Sequence, residues 1–221
     1  MKAARRRAGP PSPPRTGSPG RGRKKFTYGD YCSWGDEGRW ELIDGTAYDM
    51  TPAPSRTHAD VAGDLFVVFK NFLKGNPCKV YAAPFDVRLP KGKEADDEVT
   101  TVVQPDVLVV CDEGKLDEKG CRGAPDFVIE VLSPSTASKD CIKKRALYEK
   151  HGVKEFWLVD PANRLVTVYQ RGEDGTFGKP ALYAEEDTIT VGLFPGLKID
   201  LGGVFPALPP RAVREPPPRY L

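Results

Sequence analysis

Residues 125–136, PDFVIEVLSPST, set a carboxylate inside an apolar strand, and that is the strongest constraint this chain carries. Phe127, Val128, Ile129, Val131 and Leu132 form an almost unbroken apolar run of strand length, the pattern of a strand covered on both faces. Glu130 interrupts it. An unpaired ionised carboxylate in an apolar interior costs many kcal/mol, so Glu130 must be neutralised, paired with a cation or bound to a metal. Whatever fold forms must bring such a partner into a buried sheet.

The surrounding sequence supplies the elements of an α/β domain. RWELIDGTAYDM, residues 39–50, alternates apolar and polar positions around Asp44-Gly45, a hairpin signal. In the segment that follows, Ser55 suits a helix start and Gly75 a helix stop. Ala62, Leu65, Phe66, Phe69, Phe72 and Leu73 recur at the 3.6 period, which predicts one apolar helix face. Strands are expected over 79–89, 105–111 and 126–132, with a polar loop, KGKEADDEVTT, between the first two. A helix capped by Ser or Thr near 135–138 and closed by Gly152 comes next, followed by EFWLVDP and further short strands. The strand, helix and strand order predicts a central sheet with helices on its faces. The helix over 139–151 then acts as a crossover between the Glu130 strand and the Phe156 strand.

Both ends differ from this body. Residues 1–25 hold nine Lys or Arg and no Asp or Glu on a Pro/Gly/Ser background, a segment unable to bury a core. Residues 207–221 are Pro-rich. The expectation is therefore a basic arm over 1–25, one domain over 26–206 and a Pro-rich tail over 207–221. The formal charge of +2 conceals a body of about −9 once both ends are set aside. Arg5, Arg6, Arg7, Lys24 and Lys25 suit contact with a phosphate backbone, where neutralised phosphates release counterions. A solvated tail fits the same composition. No stretch of about 18 apolar residues occurs, and the Arg5–Arg7 run leads into Gly and Pro instead of a signal core. Five scattered cysteines without CxxC spacing argue against a disulfide framework and a zinc site, so a cytoplasmic location is expected.

Two further side chains converge on Glu130 in the sequence pattern. Asp106 follows Pro105 at the start of the strand Val107–Val110, and Pro fits such a strand start. If the two strands are neighbours, the carboxylates can share a hard cation such as Mg²⁺, which takes a few carboxylate oxygens plus water and phosphate. On the helix, Lys144 lies on one face with Leu147, Tyr148 and His151, so its ammonium can reach the sheet and Glu130. Pairing with Asp140 at i−4 is the local alternative. His58 stands one turn before Ala62, where it can meet the same crevice or serve as a cap.

WELIDG, a helix containing His58, QPDVLVV, PDFVIEVLSPST, D-x-x-x-K-x-x-L-Y-x-x-x-G-V and EFWLVDP together resemble the Uma-two family of restriction-endonuclease-like proteins, from about Tyr28 to Val204. That family falls within the PD-(D/E)xK nuclease superfamily. The resemblance implies a restriction-endonuclease-like core, a central mixed sheet flanked by helices with additional β-hairpins. It also implies Mg²⁺-dependent endonuclease activity on DNA, with Mn²⁺ as substitute, and a homodimer for double-strand cuts. By position, Asp106 is the acid of the PD element and Glu130 the acid of the second. Leu132 stands where the superfamily pattern has Lys, and Lys144 takes the place of a lysine moved to the following helix. Glu41 matches a further acidic position with the role of an outer metal contact. Thr46 replaces a Glu common among relatives. Two other classes stay open on the residues: a non-catalytic interaction module that keeps the fold, and a nuclease acting on RNA or on single-stranded or branched DNA.

Overall fold

A computed structural model of the chain describes residues 25–35, 38–50, 53–134 and 138–206. Its centre is a six-stranded sheet built around the apolar run, which forms a strand over Phe127–Val131 with all five residues buried. In chain order the strands are β1 (Trp40–Ile43), β2 (Thr46–Asp49), β3 (Lys79–Ala82), β4 (Val87–Arg88), β5 (Val102–Val103), β6 (Val107–Val110), β7 (Leu116–Asp117), β8 (Gly120–Arg122), β9 (Phe127–Val131), β10 (Glu155–Asp160), β11 (Leu165–Gln170), β12 (Ala181–Ala184), β13 (Thr188–Thr190) and β14 (Lys198–Asp200). The central sheet runs β12-β11-β10-β9-β6-β3, and a second sheet runs β2-β1-β5-β4-β8-β7. β9 is parallel to β10 and antiparallel to β6, so the central sheet is mixed.

The parallel β9–β10 pair requires a crossover, and the chain supplies it as a π-helical turn, Lys139–Lys144, running into a helix over Arg145–His151. Gly152 ends that helix in the left-handed conformation at φ 92°, which costs Gly little. Positions 135–137 of the expected cap lie outside the described residues. Ser138 precedes the π turn without a side-chain capping bond.

With the short helix Tyr28–Cys32 as α1, the long helix Arg56–Phe72 is α2 and Arg145–His151 is α3. Ser55 caps α2 by accepting from the His58 backbone N–H at 3.2 Å. The buried row on α2 is Val61, Leu65 and Phe69, continued by Leu73 just beyond the helix. This corrects the expected stripe: the helix lays its i, i+4 row on the sheet, Ala62 and Phe66 flank that row, and Phe72 is turned outward at 37% exposure. The row packs on Val107, Val109, Phe127, Ile129, Val131 and Trp157, on one face of the central sheet. The other face packs Leu108, Val128, Phe156 and Leu158 against α3 and against Ile43, Val87 and Val103 of the second sheet.

The strand expected over 79–89 is two strands in two sheets. The chain leaves β3 at Ala83–Pro84, a cis peptide bond, where Pro84 has no N–H to continue a ladder. Tyr81 and Phe85 stack across this departure with ring centroids 4.3 Å apart. The Asp44-Gly45 hairpin forms as read, with φ 51° and 80° at its turn, the left-handed pair that suits two-residue hairpins.

Cys78 and Cys111 are joined in a disulfide, which corrects the expectation of none. Their separation of 33 residues hides the pairing in the sequence. β3 and β6 pair Lys79 with Val110, so the next residue on each strand is a cross-strand neighbour. Cys32, Cys121 and Cys141 are free. Among the described residues no helix is long and apolar enough to cross a membrane.

Candidate active site

The antiparallel register pairs Val107 with Ile129, and one further step places Asp106 opposite Glu130. Asp106 lies just before β6 and Glu130 within β9, so both carboxylates sit at the same end of the central sheet. Asp106 is fixed there by its neighbours: its Oδ2 accepts from the Val131 N–H at 2.7 Å, and His58 Nε2, from the first turn of α2, lies 3.3 Å from the same oxygen.

Glu130 is reached from the crossover. Lys144 Nζ donates to Glu130 Oε1 at 3.0 Å, and the Tyr148 hydroxyl donates to that same oxygen at 2.5 Å. The ammonium also lies 2.7 Å from Glu41 Oε1 and 3.6 Å from Asp140 Oδ1. The two pairings left open by the sequence, with Glu130 and with Asp140, thus coexist, and the shorter one crosses to the sheet. Glu41 arrives on β1, whose hairpin leans on the crossover: the Lys143 ammonium donates to Tyr48 Oη at 2.7 Å. Lys139 Nζ donates to Glu41 Oε2 at 2.7 Å, and the Gln104 backbone N–H donates to Glu41 Oε1 at 3.0 Å.

Charge is unevenly balanced in this cluster. Four carboxylates, Glu41, Asp106, Glu130 and Asp140, face Lys144, Lys139 and His58. Burial pushes the Glu130 carboxyl well above the ordinary range, Lys144 opposes this, and the negative charges of Asp140, Asp106 and Glu41 add to it. Burial acts to discharge Lys144, but Glu130, Glu41 and Asp140 outweigh it and hold the ammonium charged. Glu41 is also buried, yet Lys144 and Lys139 together lower its carboxyl below the usual range. A divalent cation, when bound, would balance this excess of carboxylates. Among the described residues no group of three His, Cys, Asp or Glu side chains is arranged around a metal position. What the site offers is two strand carboxylates, the number Mg²⁺ uses with water and phosphate.

The geometry brings Asp106, Glu130, Lys144, Glu41 and His58 into one cluster. Both Glu41 oxygens receive N–H donors there. Lys25 is exposed, and Arg5, Arg6, Arg7 and Lys24 lie outside the described residues. Sequence reasoning missed Lys139, and it named Tyr148 only as a neighbour on the Lys144 face and Asp140 only as a local partner of Lys144. Tyr148 sits one turn beyond Lys144 on the same face, a signal that reads equally as packing.

Burial disfavours a charge on His58, but the hydrogen bond to Asp106, the Asp106 charge and the Val131 carbonyl overcome this and raise its pKa above the ordinary value of 6.5. A histidine raised on folding adds stability that is full below its unfolded pKa and is lost as pH rises through the folded one. The stability advantage of the wild type over His58→Gln is thus expected at pH 6 and should shrink as pH rises toward 8. Paired urea titrations check this, and a pH-independent difference would contradict it.

The sequence profile of the Uma2 family, described as "Putative restriction endonuclease", matches residues 27–202. An uncharacterized protein from Synechocystis sp. is 27% identical over 154 residues, covering 68% of this chain and 77% of that protein. A crystal structure described as a "putative nuclease belonging to DUF820", from Anabaena variabilis, superposes with a TM-score of 0.65 at 20% identity, covering 81% of this chain and 97% of that one. At that identity the likeness speaks for the fold alone, a mixed α/β architecture. Since the family profile spans nearly the whole described body, cluster included, the chain belongs to the Uma2 restriction-endonuclease-like family.

Proposed function

We propose that this protein is a Mg²⁺-dependent endonuclease hydrolysing DNA phosphodiester bonds, with Asp106 and Glu130 as metal ligands and Lys144 assisting the attacking water. One observation carries the reading: Asp106, just before β6, and Glu130, on the neighbouring β9, lie at one end of the sheet close enough for the Asp106 charge to act on Glu130, and a buried ammonium lies 3.0 Å from Glu130. The metal, when bound, would polarise a phosphoryl oxygen and lower the pKa of a bound water, with Mn²⁺ a substitute. Asp106 is held toward this place by the Val131 N–H and His58. Lys144 spends its hydrogens on carboxylates here. Held between Glu130 and Glu41, the Lys144 charge would lie beside the attacking water and the charge developing on the phosphate. Glu41 keeps the Lys144 stem aligned, and His58 stands at the rim, where a phosphate would arrive. The basic residues of positions 1–25 add an auxiliary phosphate contact in this reading.

A second reading has its own support. The Lys144 side chain is only 2% exposed and the Glu41 side chain fully enclosed, and the body is acidic, which disfavours approach of a polyanion. Both suit a non-catalytic interaction module whose ionic cluster is closed. Purified protein incubated with supercoiled plasmid and labelled single-stranded DNA separates the two. The nuclease reading expects nicking with Mg²⁺ or Mn²⁺, none with EDTA and none from Glu130→Ala. A folded protein that cuts neither substrate with either metal would reject it, and cleavage of the single strand alone would change the substrate class.

A further inference from the structure

Glu130 receives two donors on one oxygen. The Tyr148 hydroxyl lies 2.5 Å and the Lys144 ammonium 3.0 Å from Oε1, and an ionised carboxylate oxygen offers about two acceptor positions. Oε1 is therefore filled from within the protein. The donors cannot drift: Lys144 is pinned by Glu41 as well, and the Tyr148 ring is fully buried against Phe156, 5.1 Å away.

This matters for ion choice, because Ca²⁺ accepts a carboxylate with one or both oxygens in a flexible shell and gains from the second, whereas Mg²⁺ demands near-ideal octahedral geometry. We propose that Tyr148 is a positioning residue that, together with Lys144, occupies Oε1 and confines Glu130 to one-oxygen coordination, biasing the site toward Mg²⁺ over Ca²⁺. The inference rests on the metal reading given above. A tyrosine that merely satisfied its own buried hydroxyl would leave ion preference untouched.

The test uses the full chain as wild type, Tyr148→Phe and Tyr148→Leu, two donor-free side chains of which the first keeps the ring contact with Phe156. Melting temperature is followed against MgCl₂ and, separately, CaCl₂, which reads metal affinity without any turnover. Wild type should respond to Mg²⁺ at lower concentration than to Ca²⁺. The Phe variant should lose that preference by about tenfold or more, the scale of changes to groups that orient metal ligands, and Leu should shift in the same direction. An unchanged preference in folded Tyr148→Phe overturns the role of Tyr148 while leaving the metal site standing. A wild-type preference for Ca²⁺ also overturns it. A wild type indifferent to both ions removes the metal reading and this inference with it.

Discussion

Replacing Lys144 by Met is expected to lower unfolding free energy by about 3–5 kcal/mol, the cost of breaking a buried ionic group by removing one partner. The reason lies in what is left behind. Lys144 is the ammonium shared by Glu41, Glu130 and Asp140. Without it, Glu41 keeps Lys139, but among the described residues Glu130 keeps only the Tyr148 hydroxyl as a side-chain donor, in a site with almost no access to water. Glu130 would then take up a proton, since burial already pushes it that way. Urea unfolding at pH 7 measures the loss. A change below about 1 kcal/mol, the scale of an exposed ion pair, would mean that water enters the cluster freely.

Glu130→Gln should behave in the opposite manner. The amide oxygen can still accept from Lys144 and Tyr148, and Lys144 keeps Glu41 and Asp140 as counter-charges. The variant also relieves a cluster with more carboxylates than cations. Stability should therefore change by less than about 1.5 kcal/mol, the net scale of a single hydrogen bond. Metal-dependent cleavage should fall far more. A lost metal ligand forfeits several kcal/mol of charge stabilisation, or about a thousandfold in rate. The pair of variants thus separates holding the fold from doing chemistry: the account expects Lys144→Met to lose both and Glu130→Gln to lose only the chemistry. Unaltered cleavage by folded Glu130→Gln would exclude it as a ligand.

The apolar run around Glu130, the Asp44-Gly45 turn, the Ser55 cap and the Gly152 stop each act over a few residues, so the chain shows them directly. Asp106 and Glu130 were legible as a pair because each interrupts or opens an apolar strand. What escaped was decided by distant contacts. β5 has only two residues, and its place between β1 and β4 depends on pairing with both. Pro84 marks a break, but that β4 joins a second sheet instead of resuming the first is a matter of packing. Nothing near Cys78 in the chain announces Cys111. Tyr148 and Glu41 entered as a packing residue and an outer metal contact. Their actual contacts, with Glu130 and with two lysines, come from how the crossover and the hairpin meet above the sheet.

Glu130 is tolerated in its apolar strand, on this account, because an ammonium, a hydroxyl and a divalent cation answer its charge. Thermal melting with and without millimolar Mg²⁺ or Mn²⁺, for wild type beside Asp106→Asn, tests that claim most directly. An ion at about a hundred times its dissociation constant contributes about 2.7 kcal/mol, which raises the melting temperature of a domain this size by about 5–10 °C. The account expects that rise in wild type and none in folded Asp106→Asn. Equal melting of both proteins at every ion concentration would contradict it and identify the cluster as a closed ionic network.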